Sequence, residues 1–339
     1  MKKLLLFTSV VIASIGLNAQ TLLTDNFTGL TVGNVGTDIT GAAAGQGGLF
    51  TFVSGGANSD FQIVNEGGVY GNVVQINGSA TATGTRFMWK ADTNANWPTR
   101  TAGNNIIEVE YEFFTGAPST SKNSPRVYIY DAAGTKVLAG LSMAFDTKII
   151  SGVGYYNNAG TLNNFSFNLG AAGATLALTP NTWVKVGMSF NKTTGEVKWK
   201  GPGINGFIMG AATGLDPDEI DYLMGAGTGN TVSASVKFDN LVARASNSDT
   251  LLGNETFKLS SNIFAVYPNP ANDFINISNS ENIQVSNIKI TDLNGRVVKQ
   301  SNFDNVSNIN LNVSDLSAGI YMMNINTNEG STVKKIIKN

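Results

Sequence analysis

The most regular pattern of apolar and polar positions along the chain has a period of two. From Ile107 to Phe113, the residues Ile107, Val109, Tyr111 and Phe113 alternate with Glu108, Glu110 and Glu112, which predicts a strand with one apolar and one acidic face. The same alternation runs through Val184, Val186, Met188 and Phe190 and resumes, after residues 191–195, at Val197 and Trp199. That spacing predicts a β-hairpin with a five-residue loop. Arg126 to Tyr130 and Thr135 to Leu138 flank an Ala133-Gly134 turn and predict another hairpin, and Ser233 to Ala243 predicts a late strand. No segment sustains a helical period. One short stretch sends two signals: Asp216, Pro217 and Glu219 suit the N-cap, N1 and N3 positions of a helix start, whereas Ile220, Tyr222 and Met224 alternate as a strand would. Many short strands with frequent turns predict an all-β fold, a sandwich of two packed antiparallel sheets over residues 20–245.

The two ends read differently. Met1-Lys2-Lys3 is followed by the mostly apolar run Leu4 to Leu17, too short for a bilayer core of roughly 30 Å and typical of a secretory signal peptide. We expect residues 1–19 to be this leader, with cleavage after Ala19. No later stretch of 18 apolar residues occurs, so no transmembrane segment is expected in the mature protein. Residues 246–262 are polar and turn-rich and read as a linker. Residues 263–339 read as a second, small β-sandwich. Its first strand, Ile263 to Tyr267, stops at Pro268-Asn269-Pro270 because proline fixes φ and lacks the ladder N–H. Strands follow from Phe274, over Val285 to Thr291, from Arg296 after the Asp292 to Gly295 turn, and over Asn308 to Val313, Gly319 to Asn326 and Ser331 to Ile337.

Four blocks in this terminal segment occur in a characteristic order: Val266-Tyr267-Pro268-Asn269-Pro270, Leu293-Asn294-Gly295-Arg296, Leu316-Ser317-Ala318-Gly319-Ile320-Tyr321, and Lys334-Lys335 near the terminus. They resemble the C-terminal sorting domain of the Bacteroidetes type IX secretion system. The resemblance implies export to the periplasm, passage through the type IX machinery, and a product that is extracellular or attached to the outer-membrane surface. A second resemblance covers less. Asn181 to Val186 with Phe190, Thr194 to Val197, and Val236 to Leu241 look like the central hairpin and closing strand of laminin G-like and concanavalin A-like lectin/glucanase domains. That likeness implies a jelly-roll sandwich and no particular activity, because lectins, adhesion modules and glycosidases share the fold.

Composition narrows the chemistry. The chain has 22 basic and 24 acidic residues, a net charge of −2, and neither His nor Cys. No basic field exists to hold a nucleic acid. Imidazole catalysis, thiol nucleophiles, disulfides and the usual zinc and haem ligands are excluded. Carboxylate chemistry, oxygen-ligated metals and plain binding are left.

Within that inventory, Glu108, Glu110 and Glu112 resemble the Glu-x-Asp-x-Glu motif of family 16 glycoside hydrolases, with Glu in place of the central Asp. The resemblance implies Glu108 as nucleophile, Glu110 as its modulator and Glu112 as acid/base. Along a strand, however, residues four apart lie about 13 Å from each other, whereas retaining catalysis needs carboxyl groups about 5–5.5 Å apart. The alternative is a solvated outer face, and no catalytic residue is assigned on that reading. Trp89, Trp97, Tyr155 and Tyr156 are candidates for stacking on a sugar ring. Asp25 and Asp239 fall near the first and last strands and are candidate ligands of a structural calcium ion, with no other cofactor expected. Asp216, Asp218, Glu219 and Asp221 form a second acidic cluster that helix-start preferences explain. The reading that fits best is a secreted or cell-surface protein that binds polysaccharide or another surface glycan. Its rivals are a glycan-cleaving enzyme using Glu108 and Glu112 and a structural surface protein without glycan specificity.

Overall fold

The computed structural model describes residues 19–252, 264–279, 285–292, 295–327 and 331–339. The expected leader up to residue 18, residues 253–262 of the expected linker and the turn residues 293 and 294 lie outside the described residues.

Two antiparallel sheets form the larger unit. The nine-stranded sheet runs, edge to edge, Ile204–Ile208, Glu196–Gly201, Trp183–Asn191, Ile106–Phe114, Ser235–Ser246, Gly71–Asn77, Phe61–Gly67 and Gly33–Asn34, with Gln20–Asp25 also pairing along Ser235–Ser246. The eight-stranded sheet runs Thr161–Asn168, Ile149–Asn158, Val137–Met143, Asn123–Asp131, Pro217–Ala226, Thr85–Trp89 and Phe50–Ser54, with Leu176–Ala177 beside Ile149–Asn158. Side chains alternate between faces along each strand, so a single parity fills the space between the sheets. Ile107, Val109, Tyr111 and Phe113 are buried there, as their alternation predicts, and meet Val127, Ile129, Tyr222, Met224, Phe190 and Trp199 in one core. The fold is an all-β, jelly-roll-like antiparallel sandwich.

Three local expectations change. The hairpin connection is four residues, 192–195, because Asn191 already pairs with Glu196. The helix start at Asp216 does not form: Pro217–Ala226 is a strand, paired on both edges, to Asn123–Asp131 and to Thr85–Trp89. Two neighbours satisfy backbone groups along its length, and this outweighs a one-turn capping preference. A short helix, Asp92–Asn96, occupies a stretch with no helical period to betray it, and it buries Thr93 and, just beyond, Trp97.

The smaller unit has a three-stranded sheet, Phe264–Tyr267, Phe274–Asn279 and Asn308–Asn312, and a four-stranded sheet, Val285–Thr291, Val297–Val306, Gly319–Thr327 and Ser331–Lys338. They share a core of Phe264, Ile275, Ile277, Ile288, Ile290, Met323 and Ile325.

Candidate functional site

The acidic parity of Ile106–Phe114 faces away from the core, yet it is neither solvated nor open. Glu108 is fully buried; it accepts hydrogen bonds from the Thr250 backbone N–H at 2.5 Å and from Thr250 Oγ1 at 2.6 Å. Glu110 accepts from the Leu252 backbone N–H at 2.9 Å and pairs with Arg244 at 2.8 Å. Glu112 accepts from the Tyr70 hydroxyl at 2.7 Å and from Asn240 Nδ2 at 3.2 Å. The chain leaving the last strand therefore lies across this face. Leu251 seats directly over Gly187, where an added Cβ would come within 2.8 Å of Leu251 Cδ1. Lys200 Nζ donates to Leu251 O at 2.9 Å, and Lys198 pairs with Asp249 at 3.1 Å. The expectation that Glu108, Glu110 and Glu112 form either a solvated face or a catalytic row is corrected: no substrate reaches Glu108, Glu108 and Glu110 anchor residues 249–252, and the half-buried Glu112 is tied to Tyr70 and Asn240.

That anchor has a measurable value. Burial pushes the Glu108 carboxyl above its ordinary pKa, opposed by the Thr250 hydrogen bonds, so the net contribution of the pair is modest. We expect Glu108→Ala to cost about 1–2 kcal/mol, the value of charge-assisted bonds less the carboxylate's own desolvation. Hydrogen exchange should report it as faster exchange confined to the Thr250 and Leu252 amides; unchanged protection there would refute the anchoring role.

The outward face of the eight-stranded sheet is different in kind. Phe50 pairs across with Trp89, and Trp89 with Asp221; Phe52 pairs with Phe87, and Phe87 with Leu223; Glu219 pairs with Tyr130. Each of these rows projects to the side opposite Ile220, Tyr222 and Met224. Phe87 and Tyr130 pack on a small outer cluster of Tyr128, Val137, Val153 and Leu223. A cavity of about 250 Å³ opens on this face, walled by Phe52, Phe87, Trp89 and Tyr130, with Glu219 and Asp221 at its floor. Phe52 is 41% exposed, whereas Asp221 is only 3% exposed and its Oδ1 has no hydrogen-bond donor. Burial, and then the neighbouring Glu219, push the Asp221 carboxyl well above the usual carboxylate range, and burial also raises Glu219. Two bare carboxylates in contact repel each other, which adds to the effect of burial at Asp221.

The residues singled out in the sequence separate. Trp89 lines the cavity. Trp97 does not qualify as a ligand platform: it is 2% exposed, its indole N–H donates to Asp216 Oδ1 at 2.7 Å, and the Arg100 guanidinium lies 4.0 Å from its ring. Tyr155 and Tyr156 are consecutive on one strand and so face opposite sides. Tyr155 sits on the outer face under Lys136, while Tyr156 packs edge-on against Phe165 and Phe167. Asp25 and Asp239 do come close, because Gln20–Asp25 pairs with Ser235–Ser246. Asp25, however, is engaged by the Lys90 ammonium and the Tyr222 hydroxyl. A calcium ion would have to displace that ammonium, and among the described residues no three acidic side chains converge on one point. The donor set does not fit the six to eight oxygens, or thereabouts, that calcium takes. Phe52, Phe87 and Tyr130 were missed, and Glu219 and Asp221 were seen only as helix-start acids, although Phe50-x-Phe52, Phe87-x-Trp89, Tyr128-x-Tyr130 and Glu219-x-Asp221 all place like residues on one strand face.

In the smaller unit the motif residues are structural. Asn269 uses both ends of its amide: Nδ2 donates to Lys335 O at 2.9 Å and Oδ1 accepts from the Ile337 N–H at 2.8 Å. This double bond pins the Tyr267-Pro268-Asn269-Pro270 turn, whose two X-Pro peptides are cis, to the final strand. Gly295 adopts φ +82° and donates to Asp292 O, the left-handed position that favours glycine. Gly319 opens the next strand, and the Tyr321 hydroxyl reaches back to Ser317 O at 2.9 Å from a largely buried ring. Lys335 is exposed and Lys334 half-buried on the last strand. Residues 265–339 match the family described as the secretion system C-terminal sorting domain. This segment is a type IX sorting domain. The sorting domain directs the chain to the cell surface or the extracellular space, and among the described residues no helix is long and apolar enough to cross a membrane.

No curated protein sequence matches the chain. Among solved structures, it is similar to the CBM2 module of the evolved Dit of Lactobacillus casei BL23 phage J-1, at 10% identity over 69% of this chain and 98% of that one, TM-score 0.39. It is also similar to the cellulose-induced protein Cip1, at 11% identity over 65% and 96%, TM-score 0.43. A third is botulinum neurotoxin type C, whose cell entry depends on two ganglioside molecules, at 11% identity over 92% and 72%, TM-score 0.43. Likeness at this level supports no statement about ligand or activity.

Proposed function

We propose that the exported protein binds a polysaccharide or surface glycan on the outer face of its eight-stranded sheet and does not cleave it. The observation that supports this reading is the aromatic-walled cavity whose floor carries two carboxyl groups. Sugar rings have apolar faces that stack on aromatic side chains and hydroxyls that seek buried oxygens, and a concave site offering both is suited to them. The row Glu108, Glu110, Glu112 offers no second site, because residues 249–252 cover Glu108 and Glu110 and Glu112 is engaged by Tyr70 and Asn240.

Screening the purified protein against a glycan panel, followed by calorimetry on the best binder, tests the reading. Phe52 is exposed and contributes little to the core, so Phe52→Ala should leave the thermal midpoint unchanged while weakening binding about fivefold, on the order of 1 kcal/mol for one stacking ring. A panel with no binding above background rejects the proposal, as does full affinity in the Phe52→Ala variant.

A further inference from the structure

We infer that this cavity selects glycans bearing a free amine, holding the ammonium of an amino sugar between the aromatic walls and the Glu219–Asp221 pair. The inference rests on the glycan-binding reading and narrows it to one ligand chemistry. Its starting point is an imbalance beside this cavity. Several buried acids are provided for by the chain itself, Asp25 by Lys90, Glu110 by Arg244 and Glu108 by both donors of Thr250, and Asp239, which also keeps an oxygen without a donor, does not line the cavity. Glu219 and Asp221 have no such partner. No ion pair among the described residues joins either to a Lys or Arg, and neither residue type lines the cavity. Asp221 Oδ1 is buried without a donor, and Asp221 lines the cavity.

A sugar hydroxyl could donate to that oxygen, but it would leave the charge of the pair uncompensated. An ammonium does both. The remaining walls suit the same group, because they are the aromatic residues Phe52, Phe87, Trp89 and Tyr130, and a cation is attracted to the faces of such rings. Two cations on this face are engaged elsewhere: Arg126 lies over Tyr128, 6.0 Å from its ring, and Lys136 lies over Tyr155 and pairs with Asp131. Neither lines the cavity. At about 250 Å³ the space admits one sugar ring, which matches recognition of a single amino-sugar unit along a longer chain.

Calorimetry of the purified protein with a glucosamine pentamer and with its fully N-acetylated counterpart, at one pH and ionic strength, tests the inference. The two probes share a backbone and differ in the charge at carbon 2. We expect the free amine to bind at least tenfold more tightly. Asp221→Asn and Glu219→Gln, which preserve shape, should each bring the ratio towards one. Glu196→Gln, the same charge change on the opposite sheet beside Lys198, should leave the ratio intact and so excludes a diffuse attraction of an acidic surface for a basic polymer. Equal affinities, or preference for the acetylated probe, overturn the inference and leave glycan binding standing. Failure to bind the amine at all also overturns it, and the glycan reading is then judged by the wider panel alone. A tenfold preference that survives Asp221→Asn and Glu219→Gln places the amine elsewhere and overturns the assignment to this cavity.

Discussion

Trp199→Ala should destabilise the sandwich by about 4 kcal/mol, the upper range for deleting a large buried aromatic side chain. Trp199 is 1% exposed and projects from Glu196–Gly201 across the core into the opposite sheet. Its indole N–H donates to Gly140 O at 2.7 Å, and its ring lies over Gly152, where a Cβ would meet Trp199 Cε2 at 2.6 Å. Phe167 tilts against the same ring, 5.6 Å between centroids. The residue thus bridges one strand of the nine-stranded sheet to three of the eight-stranded sheet. Removing it opens a cavity and leaves a buried carbonyl without a donor. Urea denaturation should show the midpoint falling at a near-constant m-value, and the thermal midpoint should drop by about 10 °C. Trp199→Phe keeps much of the buried area but not the hydrogen bond, so about half the loss is expected. A loss under 1 kcal/mol for Trp199→Ala would show that the sheets are not keyed together at this ring.

What the sequence disclosed about this residue, and what it withheld, follow from the range of the interactions involved. Alternation through Val197 and Trp199 is a local property, and it correctly turned both inward. The same alternation correctly placed Ile107, Val109, Tyr111 and Phe113 in the core. It could say that Glu108, Glu110 and Glu112 share the other face, but not what covers that face, because the covering residue Thr250 is 142 positions away from Glu108. Asp216 to Glu219 misled for the opposite reason. The local capping signal was real, but the strand Pro217–Ala226 lies between two neighbours whose ladders exist only in the folded sheet. The cavity face was written in four i, i+2 pairs on separate strands. Each pair is unremarkable alone, and only the strand order of the sheet gathers Phe52, Phe87, Trp89, Tyr130, Glu219 and Asp221 around one cavity. Trp97 looked like a loop aromatic because a single helical turn has too short a period to show which way it faces.

Asp239→Asn should stabilise the protein at neutral pH by about 2 kcal/mol and flatten its dependence on pH. Asp239 is 2% exposed, its Oδ1 has no donor, and burial, with Glu112 and Asp25 nearby, raises its carboxyl to about 6. The backbone N–H groups of Asn240 and Phe27 oppose the rise without cancelling it. In the unfolded chain the same carboxyl titrates near 3.8. Folding therefore takes up a proton between about pH 4 and pH 6, and stability falls as pH rises through that window. Above it, the folded state holds a charge it would rather not carry. The full shift corresponds to about 3 kcal/mol, and the cost of burying the asparagine amide in its place brings the expected gain to about 2 kcal/mol. Asparagine keeps an acceptor for the two backbone donors and offers an N–H towards Glu112 and Asp25, so the gain should be visible above pH 7 and vanish near pH 4. Asp25, Glu108, Glu219 and Asp221 are raised in the same direction, but they are common to both proteins and drop out of the difference. Parallel stability curves from pH 4 to pH 8 would show that Asp239 is ionised at little cost, and a variant less stable than the parent at pH 7.5 would show that its charge is a favourable part of the junction between the first and last strands.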